Sequence, residues 1–184
     1  DLSSFKIKYE AVINKFVGSD AELYYDEIRK VRTNNLTVVS SLDIIMAEKI
    51  VETLKRSSVT SGIVNLVDSV RYSVLNQLQV EDYSVFYHNF KSMMDKVVVD
   101  HEEETIQVYD LKCTWNVENF FEEYYLYRRS YIQAYLYKKA AEHIPTKLGS
   151  EYQGYTVLNP RFIVCDSANY YSPLVYTLSD KDML

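Results

Sequence analysis

The chain has 184 residues, which is about one domain at about 150 residues per domain. Hydrophobic residues make up 47% and charged residues 25%, and 20 Lys plus Arg against 26 Asp plus Glu leave a net charge of −6. That balance excludes a uniformly basic nucleic-acid coat but not a local basic patch, and four Gly with three Pro exclude collagenous, linker-like or low-complexity sequence.

The first 75 or so residues read as helical. Segment 5–16 sets Phe5, Tyr9, Val12, Ile13 and Phe16 on one stripe, and segment 20–32 sets Leu23, Ile28 and Val31 on a weaker one. Ser40 or Ser41 fits the cap of a helix running to about Lys55, with Leu42, Ile45, Met46, Ile50 and Leu54 inward. A fourth helix over 60–75 follows from Ile63, Val67, Val70 and Val74, with Thr60 as its cap.

The period then changes. From Leu78 to Cys113 the chain is rich in Val, Tyr, Phe and Ile and lacks Pro and Gly, which predicts strands over 78–88, 91–100 and 104–113. The polar run from Asp100 to Glu104 reads as a hairpin loop. Residues 117–143 return to helical spacing, with Phe120, Tyr124, Tyr127, Tyr131 and Ala134 on one stripe and Pro145 beyond the end. Segments 161–166 and 174–178 read as closing strands. The order predicts one α/β domain over 1–184, mainly helical in 1–75, with the sheet and the site in 76–184.

Several chemistries are excluded. No stretch approaches the ~18 apolar residues of a membrane-spanning helix, and the opening DLSSFKIKYE lacks the basic start and apolar run of a signal peptide. A chain that begins with Asp reads as a processed form or as a piece of a longer protein. Cys113 and Cys165 are too few and too far apart in sequence for a disulfide framework or a four-thiolate site, and they set a reducing compartment as the expectation. The four scattered glycines write neither a Walker A loop nor a GxGxxG turn, and His88, His101 and His143 lack zinc-ligand spacing.

The informative stretch is 91–115. Alternation along a strand puts Asp110 and Lys112 on one face, about 6.6–6.8 Å apart, behind Ile106 and Val108. If His101–Glu104 form a four-residue loop, Asp95 stands opposite Asp110. Two facing carboxylates repel unless a cation lies between them, and hard oxygen ligands favour Mg²⁺ or Mn²⁺. Lys112 is then placed to orient a water and to offset charge on a phosphate, a set that fits metal-dependent phosphodiester hydrolysis. The plain alternative is an exposed ion pair worth ~0–1 kcal/mol. Arg129, Gln133 and Tyr137 follow at i, i+4 and i+8 along one helix face, where they could track a phosphate backbone or simply face solvent. Trp115 and Cys113 read as buried, His101 as exposed, and Tyr170 and Tyr171 as loop residues able to stack on bases.

In this order the motifs resemble the PD-(D/E)xK nuclease superfamily, in particular its RecB-like and phage-type exonuclease branch: K-x-x-x-D from Lys91 to Asp95, D-x-K as Asp110-Leu111-Lys112, and Q-x-x-x-Y from Gln133 to Tyr137. The resemblance covers about residues 75–180. It implies a restriction-endonuclease-like core with a central mixed sheet flanked by helices. It implies metal ligation by Asp95, Asp110 and the Leu111 carbonyl, a catalytic Lys112, and substrate contacts from Gln133 and Tyr137, with Lys91 and Arg129 as further phosphate candidates. The superfamily's upstream acidic ligand has three candidate places here, Gln77, Glu81 and Glu52, and Met94 stands where its Pro would be.

The expected function is therefore a Mg²⁺- or Mn²⁺-dependent deoxyribonuclease, an exonuclease of phage-type recombination or DNA processing. Its expected partners are DNA and a recombination or replication protein, with no membrane; a homo-oligomer is compatible with the sequence. The expected location is cytoplasmic, including a phage protein acting in its bacterial host. The alternative is a catalytically inactive nuclease-fold module that binds DNA or a protein partner, which the net charge and the open identity of the upstream acidic ligand both favour.

Overall fold

The computed structural model describes residues 10–85 and 87–183, apart from the Asp82 side chain. It divides into two compact units, Asp1–Ile44 and Ile45–Leu184. In the first, residues 10–16 are helical (α1) and Asp20–Thr33 form α2, with Asp20 and Glu22 in the first turn of α2 and Lys30 and Arg32 in its last, as the helix dipole favours. Phe5 and Tyr9 of the expected first stripe lie outside the described residues. Helix α3 (Ser41–Arg56) starts on a reciprocal cap: Ser40 Oγ accepts the Asp43 N–H at 3.1 Å and the Asp43 carboxylate accepts the Ser40 N–H at 3.0 Å.

The second unit is built on a six-stranded mixed sheet. Strands β1 (Tyr72–Val85), β2 (His88–Asp100) and β3 (Thr105–Thr114) form an antiparallel meander. β5 (Arg161–Asp166) lies parallel to β3, and β6 (Leu174–Thr177) closes antiparallel on β5. A two-residue strand, β4 (Thr156–Val157), also pairs parallel to β3 and was not predicted. Helices cover both faces, so β3 carries side chains into both. Ile106 and Val108 pack with Val97, Val99 and Tyr137 on one side, while Tyr109 packs with Leu54, Val98 and Ile163 on the other. Such two-sided burial is the usual lot of a central strand with parallel neighbours.

Three expectations are corrected. The helix over 60–75 is a single turn, α4 (Ser61–Val64), after which Asp68 accepts the Val74 N–H and the chain is already in β1 at Tyr72. Val67 and Val70 are exposed, so their helical spacing has no face to bury. The α3 stripe is inward only at its end: Leu54 is buried and Ile50 packs beside it, while Ile45 and Met46 stay exposed. The long helix over 117–143 is broken into a 3₁₀ turn (Val117–Asn119), a π-helical turn (Phe121–Tyr127) and α5 (Ser130–Ala141), with Arg129 left-handed at φ 54° between them. The wider π turn rotates the stripe, so Phe120 and Ala134 are buried while Tyr127 is 77% exposed. Pro145 lies beyond the end of α5, as expected, and sits in the first turn of a further short helix, α6 (Ile144–Leu148).

The β2–β3 turn is a four-residue loop, 101–104, tied down by Asp100. The Asp100 carboxylate accepts from Arg71 Nε and Nη2 at 3.1 and 2.9 Å and from the Glu102 and Glu103 N–H groups at 3.0 and 3.2 Å. His101 is not free in solvent: its ring meets Ser73 Oγ at 2.8 Å and Tyr155 OH at 3.2 Å. The Arg71 guanidinium first, and then the two backbone N–H groups, hold the Asp100 carboxyl below the usual carboxylate range. A carboxyl with a lowered folded value stabilises the fold above the unfolded value and loses that contribution as pH falls through the folded one. Asp100→Ala is therefore expected to lower the urea midpoint at neutral pH, and the gap to the parent is expected to close as acid protonates Asp100, measured by urea titrations between neutral pH and about pH 2.

Candidate active site

The site forms where β2 and β3 stop pairing. Their ladder runs from Asp100 opposite Thr105 to Lys96 opposite Tyr109, a register whose next pair is Asp95 with Asp110. There the side chain takes over from the backbone: Asp95 Oδ2 accepts the Leu111 N–H at 2.8 Å. In a strand, a residue's N–H and C=O face the same edge, so the Leu111 carbonyl looks toward the same gap.

Simple alternation does not bring Asp95 there. On β2, Val97 and Val99 face the α5 side of the sheet, but so does Met94, which breaks the two-residue period between 94 and 97. β1 changes phase at the same level: Leu75 pairs with Val97 and Leu78 with Met94, both on that side, and between them Gln77 adopts a left-handed φ of 52°. The register survives, and the Gln77–Asp95 level is displaced from the ladder. Gln77 Nε2 donates to Asp95 Oδ1 at 3.0 Å, so each Asp95 oxygen has a donor.

Asp110 and Lys112 share the α5 face, as period two requires. Asp110 is 3% exposed, and Lys112 Nζ lies 2.6 Å from its Oδ2. The contact is an ion pair without hydrogen-bond alignment, which leaves a buried carboxylate oxygen with no hydrogen bond. Burial pushes the Asp110 carboxyl above its ordinary value; Lys112 pulls it down, and the Asp95 charge adds to the upward push.

Helix α5 supplies the remaining side chains. Gln133 and Tyr137, one turn apart, sit against the strands, where the sequence expects them at a substrate. Lys112 Nζ donates to Gln133 Oε1 at 2.8 Å, Gln133 Nε2 donates to Tyr137 OH at 2.8 Å, and Tyr137 OH donates to the Met93 carbonyl at 3.1 Å. Gln133 Nε2 also reaches toward Asp110 Oδ1 at 3.5 Å, the outer limit of a hydrogen bond. The chain fixes the Lys112 ammonium from the helix and anchors the helix to β2. Burial, then the Asp110 charge, push the Tyr137 phenol up to about 12, so it stays a donor at neutral pH.

An open groove of about 700 Å³ lies beside this cluster, lined by Lys91, Lys112, Tyr124, Arg129, Gln133 and Tyr137 among others. Arg128 also lines it and stacks over Tyr124, 4.5 Å from the ring centre; its charge was not singled out in the sequence. Lys91 is paired with Glu81 at 2.7 Å. Of the three candidate upstream places, the structure brings Gln77 to Asp95. Glu81 is held by Lys91 four residues away, about 13 Å along the strand, and Glu52 pairs with Arg56 on α3. Trp115, expected to be buried, is 62% exposed because the chain leaves the sheet after Thr114, and Cys113 is exposed as well. Tyr170 lies 5.0 Å under Lys49, and Tyr171 is exposed.

Among the described residues no group of three or more His, Cys, Asp and Glu side chains could hold a metal ion. The donors present are two carboxylates, Asp95 and Asp110, with the Leu111 backbone and the Gln77 amide. Oxygen donors of this kind are compatible with a hard divalent cation that retains water and uses one or two carboxylates, with Asp110 Oδ2 already facing the Lys112 ammonium.

No family model matches the chain, and no curated protein matches it. Among solved structures it is similar to the crystal structure of a candidate exonuclease from Eubacterium rectale, at 14% identity and a TM-score of 0.51. The match covers 94% of this chain and 60% of that one, so the chain spans under two thirds of that protein's length. The likeness is one of fold: a mixed α/β unit with a central mixed sheet flanked by helices. Among the described residues no helix is long and apolar enough to cross a membrane.

Tyr137→Phe is expected to cost ~1 kcal/mol in urea unfolding, one net hydrogen bond in a buried network. A change near zero would show that the Gln133–Tyr137–Met93 chain does not hold the helix to the sheet.

Proposed function

We propose that the chain is a metal-dependent nuclease that hydrolyses DNA phosphodiester bonds with a PD-(D/E)xK-type site, and acts as an exonuclease. One observation supports the reading: the β2–β3 ladder ends just before the Asp95–Asp110 level, where Asp95 accepts the Leu111 N–H and Lys112 is held against Asp110. Asp95, Asp110 and the Leu111 carbonyl would hold the cation. When bound, Mg²⁺ or Mn²⁺ supplies Lewis-acid polarisation of a phosphoryl oxygen and a water of lowered pKa. Lys112, fixed between Asp110 and Gln133, orients the attacking water and offsets charge gathering on the phosphate. Gln133 and Tyr137 act by holding Lys112. Phosphate contacts fall to Arg128, Arg129 and Lys91 along the groove. DNA is the substrate in this reading, in phage-type recombination or DNA processing inside a bacterial cell, beside a recombination or replication protein and with self-association compatible.

A second reading has its own observation. Gln77 is an amide at the place beside Asp95 where the resemblance calls for an acid, and no third carboxylate joins the cluster among the described residues. A nuclease-fold module that binds DNA or a protein partner without cutting is consistent with that set.

A labelled duplex incubated with Mn²⁺ separates the two. The nuclease reading expects cleavage by the parent chain, none above background with Asp95→Ala or Asp110→Ala, and a fall of about a hundredfold or more with Lys112→Ala. Calorimetry with Mn²⁺ alone is expected to show binding that Asp110→Ala removes. An uncut duplex with the parent chain, or equal cleavage by all variants, sinks the enzyme reading.

A further inference from the structure

We propose that Cys113 and Cys165 are a redox modification site, closed to a cross-strand disulfide by a peroxide and reopened by a dithiol. The two residues are direct partners in the parallel pairing of β3 with β5, and their sulfurs lie 3.5 Å apart. Neighbouring strands run about 4.7–4.9 Å apart, inside the Cα separations of about 4.4–6.8 Å that disulfides span. The S–S distance of about 2.05 Å is reached by turning two side chains while the strands stay paired.

Access is divided as sequential oxidation requires. Cys113 is exposed, whereas Cys165 is 2% exposed in an apolar cluster with Leu54, Val98 and Ile163. The peroxide therefore meets Cys113 first. The Cys113 thiolate attacks one peroxide oxygen; an S–O bond forms, the O–O bond breaks, and the departing oxygen leaves as water or an alcohol after taking a proton. Cys113 is now a sulfenic acid. The Cys165 sulfur, giving up its proton, attacks the Cys113 sulfur; the S–S bond forms, the S–O bond breaks, and hydroxide leaves with that proton as water. In sum, two thiols are oxidised and one hydrogen peroxide is reduced to two waters. A dithiol reverses the product by two exchange steps.

Cys165 Sγ also donates to the Lys112 carbonyl at 3.4 Å, a bond that ends when the sulfur loses its hydrogen. The cross-link thus lies directly behind Lys112, on the opposite face of β3. It requires no nuclease activity, and its chemistry stands apart from that reading.

The test treats the full chain with a small excess of hydrogen peroxide, denatures it, alkylates the remaining thiols and maps the peptides by mass spectrometry. The parent is expected to lose both thiols together, to yield one intramolecular linked peptide lighter by two hydrogens, and to regain both thiols with dithiothreitol. With Cys165→Ala, Cys113 is expected to proceed to the sulfinic acid; with Cys113→Ser, an exposed and conservative change, Cys165 is expected to remain a thiol. Survival of both parent thiols, linkage only between separate chains, or sulfinic acid at Cys113 forming as fast in the parent as in Cys165→Ala overturns the proposal.

Discussion

The burial of the Asp110 carboxylate beside one ammonium governs how the rest of the second unit is arranged. Taking both charges out of water is costly, and exchanging such a pair for apolar residues is often neutral or stabilising. Here the chain spends further side chains on it. Gln133 receives the Lys112 ammonium, Tyr137 ties Gln133 to the β2 backbone, and burial still leaves the Asp110 carboxyl raised. The oxygen that meets the ammonium, Oδ2, is buried without an aligned hydrogen bond. A carboxylate held at this cost, with its partners fixed from a second element, is what makes this cluster the candidate site.

The second requirement is an interruption of the sheet at one level. A regular ladder would carry β2–β3 hydrogen bonds past Asp95 and leave no room between the strands. The paired phase change at Gln77 and Asp95 prevents that without a register shift at that level, so the meander stays in step on both sides of the break. Leu111 would otherwise lack an acceptor toward β2, and the Asp95 side chain provides one. A side chain and a backbone unit are thereby brought to one point by the same local distortion.

Much of this was legible from residue order. Period two put Asp110 and Lys112 on one face, and a four-residue loop from His101 to Glu104 fixed the level of Asp95; both depend only on strand geometry. Arg161–Asp166 was readable to the residue because RFIVCD is a short apolar run between Pro160 and a serine-rich turn. Other features left no such trace. A left-handed backbone at Gln77 carries no compositional signal, since that conformation is common at Gly or Asn and rare at Gln. The π turn at Phe121–Tyr127 hides inside apolar spacing that an uninterrupted α-helix would share. Val67, Val70 and Val74 fit a helix by spacing alone, and the turn around Asp68 ended it sooner. Gln133 and Tyr137 were legible in part for a similar reason: spacing shows that they share a face, but only the partners show that the face meets Lys112 and β2.

The displaced level at Gln77 has a further effect at the margin of the sheet. β1 stands at one end of the strand order, and a long strand in that place offers a row of backbone donors and acceptors to any other chain with a matching edge. Gln77 turns the row out of line partway along, and the irregularity between Glu81 and Tyr83 does so again within a few residues. The backbone row that β1 presents is therefore interrupted twice, and irregularities of this kind are among the devices that blunt an edge strand against pairing with another chain.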